Sequence, residues 1–168
     1  MTGRHTPEHV PVAPPLVPAP GPEIRALSER ECVDVLARNR VARVAYAFDR
    51  RVDILPIHYV HDGEWLYGRT SIGSKLEQWA HSHWVAVEVD EVRALFDWVS
   101  VVAHGSVHFL RADGPDAEAA AWEHAVTVLR RLLPTTGTAF DPVPERTILF
   151  RIHVDEITGR ECRPAMES

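Results

Sequence analysis

Cysteine is scarce: Cys32 and Cys162 are the only two in the chain, and their spacing fits neither a metal knuckle nor a disulfide framework. Both are expected as free thiols. The sequence also lacks any run approaching the ~18 consecutive apolar residues that a membrane helix needs, and its first residues lack a charged segment followed by an apolar stretch. A cytoplasmic protein without a membrane partner is the expectation. Basic charge is in deficit too, with 18 Lys and Arg against 24 Asp and Glu and a formal net charge of −6. Such a chain has no global attraction for nucleic acid, so any anion site has to be a local cluster on an acidic background. No internal repeat is visible.

What is present is a chain of 168 residues, 45% hydrophobic, long enough to bury one core without disulfides or metal. Seven prolines fall within residues 1–22, removing N–H donors and favouring extended, solvated backbone. Residues 1–24 are therefore read as a disordered tail, with an arm packed on a neighbouring subunit as the alternative. Residues 25–160 form the domain and residues 161–168 a C-terminal tail.

Ser28-Glu29-Arg30-Glu31 is a capping box, with Leu27 placed to staple onto Cys32, so a first helix starts at Ser28 and reaches Asn39. Strands are predicted over residues 41–48, 52–60, 64–70, 84–90, 98–110 and 147–154, the fifth bent or bulged at Gly105. Residues 91–97 read as a loop. A short helix is predicted over 74–80 and a longer amphipathic one over 116–133, ended by Pro134. The strand over 52–60 is apolar on both alternating faces, which predicts burial on both sides. Pro56 within it cannot donate to a ladder, so it belongs at an edge, at a bulge, or where a ligand edge takes the place of a strand. The fold class is mainly β (α+β): a small six-stranded antiparallel barrel with flanking helices.

The chemistry concentrates between residues 52 and 76. A strand delivers Arg69, Thr70 and Ser71, then Gly73 and Lys75 follow at the mouth of the short helix. Hydroxyl donors, helix-start N–H groups and two cations together make a phosphate cradle. A solvated Lys75 and an Arg69 paired with a surface carboxylate are the plain alternatives. Ten histidines invite a metal reading, but His58 and His61 point to opposite faces of a strand and no third ligand recurs at a suitable spacing. Ser100 and His104 share a strand face without an orienting acid, so no hydrolase triad can be assembled.

Taken together, the segments 54–60, 66–70, 73–76, 98–102 and 149–152, with Gly105, resemble the flavin-binding split-barrel family typified by pyridoxamine 5'-phosphate oxidase. Within it the chain is similar to the short oxidase-like and nitroimidazole-resistance-type proteins. The resemblance implies a homodimer with two FMN sites at the subunit interface and a flavin-dependent oxidoreductase acting on a small molecule. Leu55, Pro56 and Ile57 would edge the isoalloxazine ring. Arg69, Thr70, Ser71, Gly73 and Lys75 would surround the phosphate, and Trp98 and Ser100 would approach from the partner chain. Some relatives hold deazaflavin or haem in the same barrel, and a non-catalytic cofactor-binding module is the rival reading. Nitroimidazole-resistance-type proteins place a histidine where this chain has Arg69, so a reaction based on that histidine is unavailable here.

Overall fold

The computed structural model describes residues 21–71, 73, 79 and 83–165. The expectations for the tail before residue 21, for Lys75 and, Trp79 apart, for the helix over 74–80 lie outside the described residues.

Helix α1 (Glu29–Arg38) starts at the predicted cap. Glu31 N–H donates to Ser28 Oγ at 3.4 Å, and Ser28 N–H donates to Glu31 Oε2 at 2.8 Å. Arg25, donating to Glu31 Oε1 at 2.8 Å, and the Ser28 donors together draw the Glu31 carboxyl down to about 2. At the other end Asn39 returns both its N–H and its side-chain amide to Val35 O. The face carrying Cys32, Val35 and Leu36 is buried.

Among the described residues eight strands follow the chain as β1 (Glu23–Ala26), β2 (Val41–Phe48), β3 (Arg51–Asp62), β4 (Trp65–Thr70), β5 (Trp84–Ala94), β6 (Asp97–Leu110), β7 (Ile148–His153) and β8 (Glu156–Arg163). Helix α2 (Asp116–Leu129) lies between β6 and β7. The sheet order is β1-β8-β6-β5-β2-β3-β4-β7, and an additional β6–β7 pairing closes it. The six predicted strands make that closed ring; the expected count of six is corrected to eight because β8 and β1 extend it from β6. Both are short and rich in charged residues, EIRA and EITGRECR, a composition that reads as solvated tail until the strands meet. Their register sets Arg25 opposite Glu161 and Ile24 opposite Cys162, so the sheet runs beyond residue 160, where a tail is expected.

Three local differences have plain causes. Residues 91–94 continue β5 rather than forming a loop, and the register shift falls between Val92 and Ala94, not at Gly105. Gly105 instead marks where β6 exchanges β8, its partner through His104, for β7, its partner from Val107. An added Cβ there would overlap the His153 carbonyl oxygen, so only glycine permits the crossing. Helix α2 stops at Leu129, four residues early, and the N–H groups of Leu132 and Leu133 both turn back to Leu129 O. Leu133 precedes Pro134, a position that disfavours helix.

Among the described residues the apolar side chains form two clusters. The larger lies inside the ring and is capped by α1, with Val44, Tyr59, Leu66, Val87, Val101 and Phe150 among its members. The smaller packs Ala125, Val128 and Leu129 of α2 against Val60, Tyr67 and Leu149. Tyr59 O–H donates to Leu36 O at 2.8 Å, tying β3 to the last turn of α1, and burial pushes the Tyr59 hydroxyl well above its ordinary value. Two-sided burial of β3 is not found within one chain. Tyr59 faces inward with the half-buried Leu55 and Ile57, whereas Val52 and Ile54 are 70% and 61% exposed. Among the described residues no helix is long and apolar enough to cross a membrane.

Candidate functional site

The opening in the ring is the far edge of β3. This strand pairs with β2 from Arg51 to His58, but with β4 only from Tyr59 to Asp62. Tyr59 N–H donates to Arg40 O, so that residue's backbone faces β2. Successive backbone groups of an antiparallel strand face opposite edges. Ile57 and Leu55 therefore also face β2, while His58, Pro56 and Ile54 face the side that β4 does not cover. Pro56 puts its missing donor where, among the described residues, no strand pairs with β3, which explains its tolerance in the middle of that strand.

A cavity of about 210 Å³ lies against this edge, lined by Leu55, Pro56, Ile57, His58, Arg69, Thr70, Ser71, Trp79 and Arg146. The structure thus gathers the expected ring-edge residues and the hydroxyl-bearing end of β4 into one place. Trp79 is 3% exposed and stands edge-on to Phe150 with centroids 4.8 Å apart. Its buried Nε1 finds no acceptor among the described residues. A buried donor without a partner costs about 1–3 kcal/mol, so a ligand acceptor at this wall would relieve it. Apolar flanks, a donor-poor strand edge, two hydroxyls and an unused indole N–H suit a planar heteroaromatic ring with a polar tail.

Arg69 is at this cavity in a form the sequence alone does not show. Its Nη1 and Nη2 donate to Asp141 at 2.5 and 3.0 Å, with the two side chains 11% and 4% exposed. Asp141 also accepts the N–H groups of Gly137 at 2.9 Å and Val143 at 3.1 Å. Arg69, then the Gly137 N–H, hold its carboxyl far below the usual carboxylate range. The pair fastens the loop after α2 to the end of β4. That loop brings in Arg146, a half-buried arginine whose side chain has no partner among the described residues.

The remaining expected residues lie elsewhere. Gly73 is exposed and outside the lining. Trp98 and Ser100 sit on β6, paired with Cys162 and Arg160 of β8, and Ser100 Oγ donates to Glu88 Oε1 at 3.1 Å. Neither reaches this cavity within one chain. Sequence reasoning missed Trp79, Asp141 and Arg146 as site residues. Trp79 looks like an ordinary core ring, and Asp141 and Arg146 belong to a proline-bearing segment that carries no chemical motif.

Comparison with known proteins fits this architecture. The pyridoxamine 5'-phosphate oxidase family model matches residues 28–161. An uncharacterised protein of Rhizobium meliloti is 30% identical over 147 residues, covering 82% of this chain and 94% of its own. The crystal structure of an FAD-binding protein from Mesorhizobium loti is 31% identical with a TM-score of 0.65, covering 82% of this chain and 97% of that one. An FAD- and haem-binding protein from Mycobacterium smegmatis shares the fold at 19% identity and a TM-score of 0.62, covering 83% and 75%. On its sequence and on its barrel alike, the chain belongs to the pyridoxamine 5'-phosphate oxidase family.

Proposed function

We propose that the protein is a flavin-dependent oxidoreductase that binds FMN along the open edge of β3 and works as a homodimer. The observation that carries this is the single cavity joining the donor-poor edge Leu55–Pro56–Ile57 to Thr70 and Ser71, in a chain of this family. Leu55 and Ile57 flank the ring, and Trp79 Nε1 supplies a buried donor to it. Thr70, Ser71, Gly73 and Lys75 take the phosphate through hydroxyl, N–H and ammonium donors. Arg69, held in the wall by Asp141, completes that end of the site. The bound flavin supplies the electron chemistry, and the chain supplies binding, orientation and shielding from water.

Dimerisation is supported by the outer face of β2 and β3, where Val41, Val52 and Ile54 are more than half exposed next to the site. Apolar residues clustered in this way mark an interaction surface. A partner seated there brings Trp98 and Ser100 to the flavin. FAD is the second reading, favoured by the FAD-binding Mesorhizobium loti structure.

The phosphate assignment is tested with paired ligands. Lys75→Ala and Ser71→Ala are expected to weaken FMN by about tenfold or more, the loss of one charge-assisted bond, and to leave riboflavin nearly unchanged. Equal losses for FMN and riboflavin would reject the phosphate role.

A further inference from the structure

Two larger cavities adjoin the flavin edge, one of about 490 Å³ between α2, the loop that follows it and the start of β7, and one of about 320 Å³ between the end of α2, that loop and His58 of β3. Both share Arg69 and Arg146 with the β3-edge cavity, and the smaller shares His58 as well. The three spaces therefore meet at one pair of arginines. The smaller cavity is otherwise walled largely by Leu129, Leu132, Leu133 and Val143.

The two arginines differ in what they have left to give. Arg69 is matched by Asp141. In the wall of the smaller cavity Arg146 is therefore the cation left without a carboxylate partner among the described residues. The other described half-buried arginines have partners: Arg25 has Glu31 and Glu161, Arg69 has Asp141, and Arg151 lies 3.9 Å over the Trp65 ring. A half-buried guanidinium beside leucines, in a chain with excess acid, keeps two parallel donors that fit one carboxylate. A dianionic phosphate calls for more compensating charge than this wall carries.

Resting on the flavin reading above, we propose that the smaller of these two cavities is the substrate chamber. Its occupant is an apolar monocarboxylate, with the carboxylate on Arg146 beside the flavin edge and the hydrocarbon body among Leu129, Leu132, Leu133 and Val143. Arg146 is then a specificity-determining residue, and Asp141 a positioning residue that acts through the loop carrying it.

Calorimetric titration of the purified full-length protein with octanoate tests this, with 1-octanol and inorganic phosphate as companion probes. Octanoate is expected to bind saturably. Arg146→Gln is expected to weaken it about tenfold or more and Arg146→Lys less, while 1-octanol binds about tenfold more weakly than octanoate and is indifferent to Arg146. Phosphate is expected not to displace octanoate. Octanoate binding that is absent, or unchanged in Arg146→Gln, or displaced by phosphate, would overturn the proposal. The visible spectrum of the same sample reports flavin independently. A colourless protein that also fails to quench added FMN defeats the flavin reading whatever the heats show, and a flavin-binding protein that ignores octanoate defeats only the chamber.

Discussion

Arg69 and Asp141 stand 72 residues apart in sequence, yet their bidentate contact fixes the wall of the candidate site. That distance explains what the sequence conceals. Arg69, Thr70 and Ser71 are legible as a cluster because one strand delivers them in succession. Asp141 and Arg146 are not, because a loop whose conformation depends on the contact itself brings them in. The same contact makes a pH prediction. Asp141 is held well below its ordinary range by Arg69 and by the Gly137 N–H. Its folded value is depressed, so its contribution is present above the unfolded value of about 4 and is lost as pH falls through the folded one. Denaturant midpoints followed from about pH 6 down to about pH 3 should fall more steeply for the natural protein than for Asp141→Asn. Identical slopes in the two would remove Asp141 as a source of acid sensitivity.

Among the elements, α1 is the most fully readable, and it is joined closely to β3. The capping box fixes the start of α1, its 3.6-residue spacing selects Cys32, Val35 and Leu36 as the buried face, and Tyr59 fastens the helix end to β3. Leu36 is 0% exposed. Its truncation to alanine removes buried methyls and leaves a cavity, at a cost of about 2–5 kcal/mol. Chemical denaturation should show that loss, and a change under about 1 kcal/mol would mean that α1 is not the cap of the barrel core. Strands β1 and β8 are harder to read. Their charged residues find partners across the sheet and on α1, as Arg25 Nη2 finds Glu161 Oε2 at 2.6 Å and Glu31 Oε1 at 2.8 Å. Periodicity within one segment cannot anticipate such a pairing. Pro56 lies between these cases. The sequence restricts it to an edge or a bulge, and the early end of the β3–β4 ladder shows which edge is open.

On the scale of the whole molecule, the closed ring was legible because its six strands are apolar enough to announce themselves, and a ring leaves few free edges to protect. The exception is the stretch of β3 that β4 does not cover, and the candidate cofactor cavity lies there. The exposed apolar face of β2 and β3 beside it extends the same logic beyond one chain. Within one chain only the inner face of β3 is covered, and a second copy would cover the outer one. A ligand placed at that junction joins cofactor binding to assembly.

The most direct test is light scattering of the purified protein eluting from a sizing column, with visible absorbance recorded on the same peak. The account predicts a mass of two chains carrying one flavin per chain, with FMN released on denaturation. A colourless peak that also fails to quench added FMN, or a Soret band in place of the flavin spectrum, would contradict it.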